Sequence, residues 1–131
     1  MCGCWGRQVA VGLRRLDHAQ LAMPAGREAD TVAVYEGVLG TPHVPKPDQL
    51  AVRGGCWLED GDLKVHLGVD VSFGPATKAQ PAFVVDDVGA IAAAAVAAGF
   101  AMDDDQPLHG LDRVYVSDPF SNRIELMQPS A

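Results

Sequence analysis

The sequence predicts an α+β protein made of two tandem βαβββ modules. Strand-like and helical stretches occur twice in the same order, and each main helical stretch ends at a glycine, Gly40 in the first half and Gly99 in the second. The interval from Gly40 to His66 equals the interval from Gly99 to Glu125. The strand segments "VHLGV" and "IELMQ" therefore occupy the same place in two repeats of one supersecondary unit.

The first module is expected to span residues 16–70. Its first strand is "LDHAQLAM", and a helix follows over residues 28–39 and ends before Gly40, where a C-terminal glycine is common. A Pro-rich connection leads to the strand "AVRGGCWLED". The dipeptide Asp60-Gly61 is a hairpin signal, and the strand "DLKVHLGV" closes the module.

The second module is expected to span residues 80–129. It begins with the strand "QPAFVVDD" and continues with the alanine-rich helix "VGAIAAAAVAA", which ends at Gly99. An acidic stretch leads to "LDRVYVS", a "DPFSN" turn and "NRIELMQ". The apolar stripe predicted for the buried side of the helix consists of Val88, Ile91, Ala95 and Val96. Because neither module alone buries enough apolar surface, the two must pack together or with a second chain, and the linker with Gly74-Pro75 allows either.

Length and composition predict a single domain over residues 1–131, with residues 1–15 as an N-terminal tail. Ten basic and 17 acidic residues give a net charge of -7, which argues against a nucleic-acid partner. No apolar run reaches the ~18 residues of a membrane span, and the N-terminus lacks the pattern of a signal peptide. Three cysteines, an odd number, suit a reducing compartment, so a cytoplasmic protein without membrane contact is expected. Cys2 and Cys4 lie in the tail and are expected to be part of it.

Alternation of side chains along each strand predicts which residues share a face. In residues 63–69 the odd positions are apolar and face the helices, so His66 faces the other way. The same argument places His18 and Glu125 on the helix-free side of their strands. These three polar side chains are therefore the candidate functional residues.

Hairpin geometry then predicts the residues around them. A two-residue turn at Asp60-Gly61 would place Gly55 opposite His66, which would leave open space above the imidazole. A five-residue turn at residues 118–122 would pair Tyr115 with Glu125 and Arg113 with Met127 in the second hairpin. The two hairpins together would line the helix-free surface with four further side chains. These predicted substrate-binding residues are Arg53, Trp57, Arg113 and Tyr115.

The repeat, the opening "LDHAQLAM" and the closing "DPFSNRIEL" resemble the vicinal-oxygen-chelate superfamily. Its members include glyoxalase I, extradiol dioxygenases and the fosfomycin and bleomycin resistance proteins. The resemblance implies that the two modules form one curved mixed sheet, a cup, with the helices on its outer face. It also implies metal ligands from the first and last strands of each module, at positions that fall here on His18, His66, Gln80 and Glu125. Histidine is the usual residue at the position of Gln80, and glutamate or glutamine is common at that of His66.

Two imidazoles and one carboxylate with open coordination positions suit a divalent metal such as Fe, Mn, Ni, Co or Zn, and Gln80 could add an amide oxygen. Such a centre would bind two neighbouring oxygens of a small metabolite, in an isomerase, lyase or dioxygenase reaction. Glu125 could then act as the general base. No nucleotide cofactor is expected.

The alternative is a protein of the bleomycin-resistance type that binds and sequesters an antibiotic or metabolite without a metal. In this case His18 and His66 would be ordinary hydrogen-bonded residues, and Trp57, Tyr115 and the two arginines would carry the binding. The resemblance implies a homodimer under either hypothesis. Neither the substrate nor the pairing of modules, within one chain or between two, follows from the sequence.

Overall fold

A computed structural model describes residues 11–104 and 108–130 of the chain. Cys2 and Cys4 lie outside the described residues. The first half contains β1 (Ala19–Met23), α1 (Glu28–Tyr35), β2 (His43–Val44), α2 (Asp48–Ala51), β3 (Cys56–Asp60) and β4 (Leu63–Val69). The second half contains β5 (Ala82–Val84), α3 (Val88–Ala97), β6 (Met102–Asp103), β7 (Leu111–Ser117) and β8 (Arg123–Pro129). The α+β class and the repeated βαβββ order are confirmed, while the one-turn helix α2 in the Pro-rich connection was not predicted.

The strands form two four-stranded mixed sheets, ordered β1-β4-β3-β2 and β5-β8-β7-β6. In each sheet the first strand of the half pairs in parallel with the last, and the other pairs are antiparallel. In the first sheet, helix α1 carries the chain from β1 to β2 at the opposite edge, and two antiparallel returns through β3 and β4 then bring β4 beside β1 in the same direction. Among the described residues, no helix is both long and apolar enough to cross a membrane.

The predicted register of the first hairpin is wrong, because the two-residue turn begins one residue later in the chain than predicted. Asp60 pairs with Leu63 and Trp57 pairs with His66, so the turn residues are Gly61 and Asp62. Gly61 has a φ of +61° and occupies the first central position of the turn, where its positive φ suits glycine. As a consequence, Trp57 and not Gly55 lies opposite His66, and the expected open space above the imidazole is absent.

The register of the second hairpin agrees with the prediction. Tyr115 pairs with Glu125 and Arg113 pairs with Met127. The turn between the strands is held by Asp118, whose carboxylate accepts hydrogen bonds from the backbone amides of Phe120 and Asn122, each at 2.9 Å. A side chain that satisfies two turn amides fixes the loop length and with it the register.

A single apolar cluster contains buried side chains from both halves. Met23, Leu58 and Ile124 have no exposed surface, and Leu126 is 1% exposed. Helix α3 contributes Ala95, but Val96, which the sequence placed on the buried side, is 52% exposed. The buried stripe follows Ala92 and Ala95, and Val96 lies outside it. The helix-bearing sides of the two sheets therefore share one core.

Tyr35 links the two halves inside this core. Its hydroxyl donates to the Asp118 carboxylate at 2.9 Å, and both residues are buried. Burial raises the pKa of the Tyr35 phenol well above its usual value of 10.0, and the charge of Asp118 and the hydrogen bond to it raise this pKa further.

The raised pKa of Tyr35 predicts a loss of stability at alkaline pH. Below pH 10 the phenol is neutral in both states, whereas above it the unfolded phenol ionises and the folded one stays protonated. The unfolded state then binds fewer protons, so the free energy of unfolding falls as the pH rises. We expect the stability advantage of the wild type over Tyr35→Phe to shrink above about pH 10. Urea unfolding of both proteins across this range measures it, and a constant difference would contradict the prediction.

Candidate functional site

The helix-free face of the first sheet borders a cavity of about 610 Å³, which we call the first-sheet cavity. Alternation along β4 explains its lining, because Val65 and Leu67 point into the core while Lys64 and His66 point the other way. The loop before β3 closes one side of the cavity. Its charged and aromatic lining consists of Asp17, His18, Lys46, Arg53, Trp57, Glu59, Lys64 and His66.

Three aromatic rings in the lining of this cavity stack against one another. The His66 imidazole lies between the Trp57 indole and the His18 imidazole, with ring centroids 4.3 Å apart on each side. The Trp57 and His66 rings are almost parallel, 5° apart, because these residues face each other directly across β3 and β4. His66 is therefore buried on both ring faces and retains 6% exposure.

Two carboxylates hold the imidazoles at their edges. His66 Nε2 lies 2.9 Å from Glu59 Oε2, and His18 Nδ1 lies 3.1 Å from Asp17 Oδ2. The hydrogen bond with His18 and the nearby charge of Lys64 lower the pKa of Asp17. The orientation of both rings is thus set by side chains of the same sheet face, before any ligand binds.

A second polar cluster lies on the helix-free face of the second sheet. Glu125 accepts from Gln80 Nε2 at 3.3 Å and from Arg113 Nη1 at 3.2 Å. Arg113 also donates to the Tyr115 hydroxyl at 3.1 Å. The Arg123 guanidinium stacks 3.8 Å from the centroid of the Tyr115 ring and donates to Gln80 Oε1 at 2.7 Å. Both Glu125 and Arg113 are largely buried, so these contacts are shielded from solvent.

The four predicted metal ligands thus form two pairs. His18 and His66 contact each other in the first-sheet cavity, whereas Gln80 and Glu125 contact each other on the second sheet. His66 Nε2 is engaged by Glu59, and both Glu125 oxygens have partners. Within residues 11–104 and 108–130, no three His, Cys, Asp or Glu side chains are grouped so that they could hold a metal ion. The donor set as arranged in one chain does not fit a metal.

The predicted substrate-binding residues are divided in the same way. Arg53 and Trp57 line the first-sheet cavity, and Arg113 and Tyr115 surround Glu125. Sequence reasoning missed Glu59, although it follows Trp57 by two residues and so shares its face. The correct turn at Gly61-Asp62 would have placed Glu59 opposite Lys64, beside His66.

Comparison with known proteins identifies the fold and the family. No family model matches the chain, and no curated protein matches it. Among solved structures, a glyoxalase family protein from Bacillus anthracis is 38% identical, with 93% of this chain and 100% of that chain covered and a TM-score of 0.85.

More distant structures share the fold. The fosfomycin resistance protein FosX from Listeria monocytogenes is 16% identical over 92% of this chain and 94% of its own, with a TM-score of 0.69. TnmS3, an antibiotic binding protein from Streptomyces sp. CB03234, is 21% identical over 91% of this chain and 100% of its own, with a TM-score of 0.67. Identity and coverage with the Bacillus protein show that the chain belongs to the glyoxalase family of the vicinal-oxygen-chelate superfamily.

Proposed function

We propose that the protein binds a planar small molecule, an antibiotic or a metabolite, in the first-sheet cavity, and that it does so without a metal. The observation that carries the proposal is the ring stack of Trp57, His66 and His18 inside a cavity of about 610 Å³. A cavity of this size lies within the range of small-molecule sites. The antibiotic-binding description of TnmS3, which shares the fold, is consistent with this class of function.

The arrangement is suited to binding by stacking because it is already ordered. His66 is fixed by Trp57 and His18 on its two faces and by Glu59 at its edge. The His18 side chain keeps 40% of its surface exposed, so the outer end of the stack is open. A planar ligand can extend the stack without a large entropic loss from ordering protein side chains.

The proposal is tested by calorimetry on protein stripped of metal with a chelator. The probes are 2-naphthoate and 2-naphthamide, which share a planar ring system. We expect His18→Ala to weaken binding about fivefold or more, since the ligand stacks on the exposed His18 ring and a stacked pair contributes roughly 1 kcal/mol beyond the buried area. His18→Phe keeps a flat ring and is the matched control, expected to retain most of the affinity. Unchanged binding in His18→Ala would refute the proposal.

A metal-dependent enzyme of the glyoxalase and dioxygenase type is the second candidate function. The contact between the His18 and His66 imidazoles favours it, since two imidazoles on one face could supply two of the ligands of a divalent metal. Gln80 and Glu125 would have to reach the same metal from another arrangement of the modules. Elemental analysis of the purified protein separates the candidates, because stoichiometric Fe, Mn, Ni, Co or Zn that disappears in His66→Ala would support the enzyme.

We further propose that the protein forms a homodimer. Strands β1 and β5 stand at the ends of the two sheet orders, so each presents one edge without a partner strand among the described residues. Edge strands of this kind are natural places for a second chain to pair. Sedimentation of the full chain would give the dimer mass if the proposal holds and the monomer mass of 13.8 kDa if it does not.

A further inference from the structure

We infer that the ligand of the first-sheet cavity is an aromatic anion, such as an aromatic carboxylate, and that Arg53 binds its negative charge. This inference rests on the proposed binding function and adds the chemical class of the ligand. Three features of the cavity support it: basic side chains outnumber acidic ones in the lining, both carboxylates already have partners, and the His18 end of the ring stack is exposed.

Basic side chains outnumber acidic ones in the lining of the first-sheet cavity. The chain has ten Lys and Arg against 17 Asp and Glu, yet the cavity is lined by Lys46, Arg53 and Lys64 against two acidic residues, Asp17 and Glu59. A second cavity of about 380 Å³, at the junction of the two halves, shows the opposite distribution. Its described lining includes three aspartates, and neither Lys nor Arg is among those residues. The first-sheet cavity therefore has a positive balance of side-chain charge, whereas the cavity at the junction has a negative one.

The carboxylates of the first-sheet cavity are already engaged. Glu59 contacts His66 at 2.9 Å, and Asp17 contacts His18 at 3.1 Å and Lys64 at 3.9 Å. Lys46 donates its ammonium hydrogen to the backbone carbonyl of Gly54. Both carboxylates of the cavity thus have partners within the protein, and the lining carries one more basic than acidic side chain.

Arg53 supplies the cation that remains for a ligand. It is exposed at the cavity edge, and within the described parts of the chain its guanidinium has no ion pair. A guanidinium is planar and can donate two parallel hydrogen bonds to a carboxylate. An anion attached to a ring would place its charge at Arg53 while its ring meets the exposed end of the His18–His66–Trp57 stack.

The test compares 2-naphthoate with its neutral analogue 2-naphthamide by calorimetry at low ionic strength. We expect the wild type to bind the carboxylate at least tenfold more tightly than the amide. Arg53→Gln should lose this preference, because its affinity for the carboxylate falls to about its affinity for the amide. Arg14→Gln is the matched control, because Arg14 is exposed, lies outside the cavity lining and carries the same charge. It should keep the preference.

The outcomes separate this inference from the proposed function. Equal affinity for the two probes in the wild type, or an unchanged preference in Arg53→Gln, would overturn the anionic ligand and leave the binding function intact. Absence of binding of either probe to the wild type would overturn the binding function and the inference together. A loss of preference in both Arg53→Gln and Arg14→Gln would show that net charge is responsible, and would overturn the role of Arg53.

Discussion

Replacement of Asp118 by alanine is expected to lower the free energy of unfolding by about 3 kcal/mol or more. The buried Asp118 carboxylate accepts hydrogen bonds from the Tyr35 hydroxyl, from the Phe120 and Asn122 amides and from the Asn122 side chain, each at 2.9 Å. Alanine would leave all four donors without this acceptor. The loss exceeds that of one hydrogen bond because buried donors without a partner carry their full desolvation penalty.

Urea unfolding monitored by circular dichroism measures this loss. Asp112→Ala is the control, since Asp112 lies on β7 of the same hairpin, is exposed and should change stability by no more than about 0.5 kcal/mol. Tyr35→Phe removes one of the four donors and should have a smaller effect than Asp118→Ala. A similar, small effect for Asp118→Ala and Asp112→Ala would show that the turn does not depend on the carboxylate.

Replacement of Gly55 by alanine is expected to destabilise the protein by several kcal/mol, on the order of 3 or more. Gly55 has a φ of +87°, and an added Cβ would lie 2.3 Å from the carbonyl oxygen of Leu67. That oxygen belongs to the backbone of β4 and cannot move aside without shifting the strand. Two penalties therefore add: the left-handed backbone conformation and the steric overlap with β4.

Gly61→Ala isolates the first of these penalties. Gly61 also has a positive φ, +61°, but apart from its chain neighbours no atom of the described residues lies within 4 Å of the position that its Cβ would take. Its loss should be about 1 kcal/mol, the usual penalty for a left-handed alanine. Thermal or urea unfolding of the two variants gives the comparison, and equal losses would mean that β3 and β4 are not held as closely as the structure shows.

The first hairpin shows why the faces of the strands were predictable while their partners were not. The segment "EDGDL" offers two overlapping turn dipeptides, Asp60-Gly61 and Gly61-Asp62. Moving the turn by one residue shifts every cross-strand pair by two, and side chains alternate with a period of two. His66 therefore keeps its face under either turn, but its neighbour changes from Gly55 to Trp57.

The second hairpin had no such ambiguity. The "DPFSN" segment fixes its own length through Asp118, so the pairing of Tyr115 with Glu125 followed from the sequence. The repeated module order followed as well, from the matching positions of Gly40 and Gly99, although α1 ends at Tyr35 and not at residue 39 as predicted. The ring stack did not, because it depends on the correct register of β3 and on side-chain orientations that alternation does not specify. The contact between His66 and Glu59 was missed for the same reason.

The hydrogen bonds between the two halves bear on how this chain folds. Tyr35 and Asp118 are 83 residues apart in sequence, and Asn122 donates to the carbonyl of Ala22 across 100 residues. Each such contact closes a long loop, whose entropy is lost before the contact forms. Although the sequence repeats, one half made alone would leave the buried Tyr35 or Asp118 without its partner. The two repeats are therefore expected to unfold in one cooperative transition, with the bonds between them among the last to form during folding.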